Sequence, residues 1–347
     1  MPLLSRVDYL RLIFGWLAVV GLGWLPAPTV QLIVVVAIII FCAFGVVKMA
    51  ESLAHLLGDP LGSLLLSLSI VVIEVILISA VMLGPAHSAT IARDSVLAVS
   101  MIILALVMGL ALLIAGIKFG SLKHNGIGAP TYMVMISTLI VTSFGTPVVL
   151  SGLSAIQAIL IALFTIVLYG FFLYRQTGSQ AVDFQERGQE HQKTDFKARD
   201  VVLRVVILLL MAIPIVLLSH DMAKSLDQVL SLIQAPPALA GLIIACIVFL
   251  PETITSLRAA WGGEVQRLSN LVHGALVSTL GLSIPSVLLI GVATGQEVNL
   301  VPESREILFV GAAIAINAIA FNAKRVTAIH GAALLMLFGV YLLGMFN

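Results

Sequence analysis

Apolar runs long enough to cross a bilayer follow one another along nearly the whole chain, and such a sequence has few folds open to it. A hydrocarbon core of ~30 Å needs about 20 mostly apolar residues in a helix. That window picks out eleven stretches, near 8–25, 28–47, 61–83, 95–117, 130–151, 154–174, 201–219, 236–257, 267–293, 306–321 and 326–346. The runs are continuous, whereas a transmembrane β-barrel needs short segments of alternating polarity. With 60% hydrophobic and only 10% charged residues, the chain does not have the composition of a soluble globular domain. The expected fold is an all-α polytopic membrane protein. A net charge of +1 implies no nucleic-acid partner, so the partners expected are the lipid bilayer and small ions. The two cysteines, Cys42 and Cys246, both fall within apolar runs, which gives a disulfide framework no support.

Arg6 and Arg11 before the first run resemble the start of a secretory signal, but Arg11 intrudes on the run and no small-residue cleavage pattern follows cleanly. A retained first helix is expected. Placing the N-terminus in the cytoplasm and alternating sides leaves only Arg93, Lys224 and Arg305 outside, out of 18 basic residues. Cytoplasmic loops are enriched in Lys and Arg. The skew therefore supports eleven spans in this orientation.

The longest polar stretch, Arg175–Asp200, reads as a solvated cytoplasmic linker with room for a short surface helix. It separates two sets of five helices. The boundaries expected are an N-terminal helix at 1–27, a first repeat at 28–174, the linker at 175–200 and a second repeat at 201–347. Runs starting at 28 and 201, 95 and 267, and 154 and 326 recur at an offset of 172 or 173 residues. An odd number of helices per set inverts the second set relative to the first. Inverted repeats of this kind place transport sites near the bilayer midplane.

Each set buries one lone acid in its second helix. Glu74 is the only charged residue of Leu61–Leu83, and Glu252 the only one of Ala238–Leu257. A charge at mid-bilayer costs about 2.5–3.5 kcal/mol on insertion scales and marks a functional site by default. By helical rise the two acids lie about 20 Å from Leu61 and 21 Å from Ala238, the starts of these oppositely directed stretches, so they reach similar depth. Pro251 breaks the second helix just before Glu252, and Thr253, Thr255 and Ser256 supply hydroxyls within a turn. Ser67, Ser69 and Ser79 do so more sparsely around Glu74. Oxygen-only donors suit a hard cation such as Ca2+ or Na+. The alternative, a structural pair hydrogen-bonded to neighbouring helices, leaves no lysine or arginine at that depth to neutralise either acid.

The motifs FLPETITS (Phe249–Ser256) and VVIEVILISAVM around Glu74, with Val265–Pro285, resemble the calcium/cation antiporter superfamily. Within it they are most similar to the cation–proton exchanger branch of bacterial ChaA-type sodium/potassium and calcium–proton antiporters. The resemblance covers about residues 50–346. It implies an eleven-helix inner-membrane exchanger whose paired acids, Glu74 and Glu252, bind cations and protons in turn. Thr255 and Ser256 match the hydroxyl positions of its second motif. Gly274 fits the start of its Gly-Ser-x-x-Gln segment, and Ser278 stands where that segment has its glutamine ligand. Ile70-Val71 and Val248-Phe249 replace the Gly-Asn usual before each acid, and Ile102-Ile103 replaces Ser-Asn in the fourth helix. Fewer side-chain oxygens imply a site that is less selective or that uses backbone and water oxygens.

His273 and His330 are candidate proton relays, with a structural role as the alternative for each. Asp94 beside Arg93 reads as an ion pair, Glu297, Glu303 and Glu306 as a solvated outer loop, and Ser269 and Asn270 as a cap or path lining for the ninth helix. The function expected is exchange of cytoplasmic Ca2+, Na+ or K+ for external protons by alternating access, with no resident cofactor and no enzymatic chemistry. Two facing carboxylates returning empty would suffer desolvation and like-charge repulsion, and protonation relieves both. A cation channel and a polytopic enzyme acting on lipid phosphates are the other classes. The latter wants clustered Asp or His with Arg near an interface, which the sequence lacks.

Overall fold

The computed structural model describes residues 4–21, 28–58, 60–83, 89–186, 198–232, 242–243, 245–246 and 249–344. Among these residues the chain is all-α apart from one two-residue strand pair. Eleven helices are present: α1 (Arg6–Gly21), α2 (Pro28–Leu57), α3 (Leu61–Leu83), α4 (91–119), α5 (128–150), α6 (Ala155–Thr177), α7 (Ala198–Leu232), α8 (Leu250–Gly262), α9 (Val265–Thr294), α10 (Ser304–Asn322) and α11 (Ala328–Leu343). Seven of the described helices are long and apolar enough to cross a membrane, α2, α4 to α7, α9 and α10. This is a polytopic membrane protein of all-α class.

Helices α2 and α7 outrun their apolar stretches, because backbone hydrogen bonding continues past the point where hydropathy falls. Helix α8 continues to Gly262, and most of the segment expected to precede it, at 233–241, lies outside the described residues. Two helices change pitch midway: α4 is π-helical over Ile102–Val107 and α5 over Val141–Gly145. Such bulges disturb the backbone ladder and are common at functional sites. Ser154 and Gln157 form a reciprocal capping box at the start of α6, and Glu303 and Glu306 do the same for α10.

The chain divides into two compact units, Met1–Gly58 with His191–Thr255 and Leu342–Asn347, and Asp59–Glu190 with Ser256–Tyr341; two of the cuts fall inside helices, one in α8 and one near the end of α11. In the first unit α1, α2 and α7 pack on one another. Pro214 sits inside α7, and its missing N–H deprives the Leu210 carbonyl of its helical donor. The indole N–H of Trp16 on α1 donates to that carbonyl at 3.1 Å. Asp8 on α1 is fully enclosed; it takes hydrogen bonds from the Ser5 backbone and hydroxyl, from Arg11 at 3.0 Å and from Lys48 on α2.

In the second unit α9 is the central helix, buried along almost its whole length and packed against α3, α4, α5 and α6. The outward faces of its neighbours are apolar and exposed: Ile156, Phe164 and Phe171 of α6 and Val134 of α5 are more than half exposed. Such faces suit lipid contact. Helices α4 and α11 meet at a crossing of small residues, joined at one end by antiparallel pairing of Ser121–Leu122 (β1) with Val326–Thr327 (β2).

Candidate functional site

Glu74 lies on the face of α3 that packs against α9, with 9% of its surface exposed. The Thr279 hydroxyl of α9 donates to its Oε2 at 2.9 Å. Its Oε1 is buried without a hydrogen-bond partner among the described residues, and no Lys or Arg among them pairs with it. A buried carboxylate oxygen without a donor is unfavourable unless a ligand or proton serves it. One oxygen is thus held in place and the other left available.

Thr279 carries no signal in the sequence that singles it out. Its neighbour Ser278, matched to the ligand position, lies beside it on α9, and the Ser278 hydroxyl accepts a 3.0 Å hydrogen bond from Tyr169 of α6. Tyr169 can lie this close because position 281 is glycine; a Cβ there would stand 2.6 Å from the Tyr169 ring. The side chain of Ser79 lies outside the described residues.

Glu252 occupies the first turn of α8 and is 5% exposed. An acid at that position is favoured by the helix dipole. Thr255 and Ser256, three and four residues on, share its face. The Thr255 hydroxyl donates to the Pro251 carbonyl at 2.9 Å and that of Thr253 to the Phe249 carbonyl at 2.9 Å. These threonines therefore serve their own helix while their lone pairs stay open. Ser256 is 1% exposed and its hydroxyl has no partner among the described residues. The carbonyl that Pro251 deprives of a donor belongs to Ile247, which lies outside the described residues.

His273 is fully enclosed in α9 with both ring nitrogens engaged, Nδ1 to the Ser269 hydroxyl at 2.9 Å and Nε2 to Asn317 Oδ1 at 3.3 Å. The Asn317 amide also donates to the Leu104 carbonyl at 3.0 Å, inside the π-helical stretch of α4. That stretch includes Ile102-Ile103. Asn317 thus ties the bulge to the buried histidine, a role with no sequence signal beyond one amide in an apolar run. His330, half-buried at the start of α11, accepts from the Thr327 backbone at 3.1 Å, as a helix-end contact.

The polar cluster at the starts of α4 and α10 is largely self-paired. Arg93 bonds Asp94 at 2.7 Å and lies 3.8 Å from Glu306, while Glu303 pairs with Arg305 at 2.8 Å. Beside it an open cavity of about 640 Å³ lies between the α5–α6 turn and the end of α9, lined in part by Gln157, Gln296, Glu297 and Asn299.

Removing the Thr279 hydroxyl tests whether that bond positions Glu74. Thr279→Val should lower stability by about 1–3 kcal/mol, since it leaves a buried carboxylate oxygen without its donor. Thr279→Ser should restore it, and equal thermal unfolding of the Val and Thr proteins in detergent would remove Thr279 as the partner of Glu74.

The family described as sodium/calcium exchanger protein matches residues 27–178 and 203–347. The sodium-potassium/proton antiporter ChaA of Escherichia coli (strain K12) is 32% identical, over 99% of this chain and 97% of that protein. Two solved structures share the fold: the H+/Ca2+ exchanger CAX, with a TM-score of 0.72 at 14% identity over 98% of this chain and 89% of that one, and the Ca2+/H+ antiporter protein YfkE, with a TM-score of 0.69 at 16% identity over 99% of each.

Proposed function

The chain belongs to the sodium/calcium exchanger protein family, and from that premise we propose that this membrane ion transporter is a secondary active cation/proton antiporter. It exports cytoplasmic Ca2+, and Na+ or K+ as well, in exchange for H+ by alternating access. Glu74 and Glu252 bind cation and protons competitively, with Thr255, Ser256, Ser278 and Ser79 as supporting oxygens. The observation that carries the reading is the Glu74 carboxylate, buried, oriented by Thr279 at 2.9 Å and with one oxygen unserved among the described residues. A mobile ion is the counter-charge such a group needs.

The relatives support the coupling ion and the cargo class: ChaA is named for sodium, potassium and protons, and CAX and YfkE for Ca2+ and protons. Membership in an exchanger family sets the lipid-phosphate enzyme aside. The placement of the N-terminus in the cytoplasm of an inner membrane rests on the basic residues, of which all but Arg93, Lys224 and Arg305 then lie inside. Cations here are cargo, and the reading requires no resident cofactor.

Mechanistically, protons taken up from outside discharge the acids, so that the carrier reorients without two bare charges in oil. On the cytoplasmic side the cation displaces those protons from the same oxygens.

The test is transport in everted vesicles carrying a preformed pH gradient, with Ca2+, Na+ and K+ added in turn. Collapse of the gradient on addition of at least one cation is expected. Failure of all three, or cation current that ignores the proton gradient, would overturn the proposal and favour a channel.

A further inference from the structure

We infer that the first turn of the linker, with Phe184 and Glu186 at its heart, is a plug closing the linker end of the second unit, and that the polar chamber behind it is the inner vestibule leading to Glu74. The vestibule's purpose rests on the antiporter reading above; the plug itself does not.

Phe184 follows a stretch of mostly polar linker residues, yet it is 2% exposed. Its ring meets Tyr132 of α5 and Phe172 of α6 edge-on, at centroid distances of 5.2 and 5.8 Å. Its carbonyl accepts from the Asn270 amide of α9 at 2.6 Å. Two residues on, Glu186 Oε2 takes the backbone N–H groups of Gln266 and Arg267 at 2.8 and 3.1 Å. Those are first-turn donors of α9, whose own N-cap, Glu264, makes no side-chain cap. A remote carboxylate therefore does the capping, where the helix dipole favours it. On the other side the Val182 carbonyl accepts from Asn125 at 3.2 Å. A single turn of 3-10 helix, Ala181–Phe184, is thus fastened to α5, α6 and α9.

Behind the ring lies a chamber of about 10 Å³, near the room a single water needs. Tyr132 and Phe172, the rings that hold Phe184, form part of its wall, with Ser67, Gln176, Asn270 and Ser278. Ser67 Oγ and Gln176 Oε1 are buried there without hydrogen-bond partners among the described residues, while the Gln176 amide donates to Tyr132. Buried acceptors without donors are unfavourable in a permanently dry site and suit one that is wetted during the cycle. The chamber also points at the acid. Ser67 is two turns from Glu74 on the same face of α3, and Ser278 adjoins Thr279, which holds Glu74. One aromatic anchor and a few polar contacts on a single turn are the kind of fastening that opens locally without global unfolding.

The test needs no transport. In protein with Cys42→Ala and Cys246→Ala, a Ser67→Cys reporter is exposed in everted vesicles to a membrane-impermeant cationic thiosulfonate. Labelling should be slow with the plug intact and on the order of tenfold or more faster with Phe184→Ala. Phe184→Leu, which keeps an apolar anchor, should stay near the slow rate. Glu186→Gln, which weakens the cap and leaves the ring, should fall between and serves should Phe184→Ala misfold. Equal rates across the series, or fast labelling with the plug unaltered, would overturn the inference. Because labelling is read without cation movement, it can fail while the antiporter reading stands, and the reverse.

Discussion

Glu74→Gln is expected to abolish cation-driven proton movement while leaving a folded protein. Glutamine keeps the volume of the side chain and still offers an oxygen to the Thr279 hydroxyl, which donates to Glu74 at 2.9 Å. What it removes is the negative charge that holds the cation and the site that exchanges a proton. In a low-dielectric interior that charge supplies most of the attraction for a hard cation. Exchange in everted vesicles should therefore fall by about a hundredfold or more, or ~2.7 kcal/mol in effective barrier. Replacing a lone buried acid by a neutral isostere relieves desolvation, so thermal stability in detergent should be equal or higher. Glu252→Gln should behave alike. Substantial exchange by either variant would remove that acid from the transport site, and loss of folding in both would make the buried acids structural.

Gly331→Ala should be strongly destabilising. A Cβ at position 331 would lie 2.4 Å from the Leu113 nitrogen and 2.6 Å from the Gly109 carbonyl oxygen. Both neighbours are backbone of α4, so no side chain can swing aside. The helices would have to separate, or α11 to tilt away from the β1–β2 clip that fixes its start. Overpacking typically costs 1–3 kcal/mol, and with backbone on both sides about 3 kcal/mol is expected. Thermal unfolding in detergent reads it directly. Gly339→Ala in the same helix is the control, since nothing lies within 4 Å of a Cβ there. Replacing a helical glycine that has open space beside it should leave stability unchanged or raise it by up to ~1 kcal/mol. Equal melting of the two variants would mean that α4 and α11 do not meet as closely as they do in this fold.

The two expectations differ in how much the sequence foretold. Glu74 was legible at once, because an acid alone in an apolar run has so few explanations. Thr279 was not, since a threonine in a spanning helix is ordinary and only the packing of α3 on α9 gives it an acid to hold. Asn317 is hidden for the same reason: its importance depends on a π-helical stretch of α4 whose displaced carbonyl no hydropathy pattern announces. Phe184 sits in what reads as a solvated connector, because local polarity says nothing about which side chain folds back under the bundle. Trp16 offers the reverse case. Pro214 guarantees an orphaned carbonyl at Leu210, but the donor comes from a helix nearly two hundred residues earlier.

By itself, then, the sequence determined that this chain lives in a bilayer as a series of helices, and which two acids stand alone in its apolar runs. Length and hydropathy are local properties, and the penalty for a charge in oil needs no partner to be known. Only the tertiary structure decided which hydroxyl steadies Glu74, where helices touch through glycine, and what seals the linker end. Those depend on directional hydrogen bonds and contacts between segments far apart in the chain, whose meeting is fixed by packing and not by any pattern along the sequence.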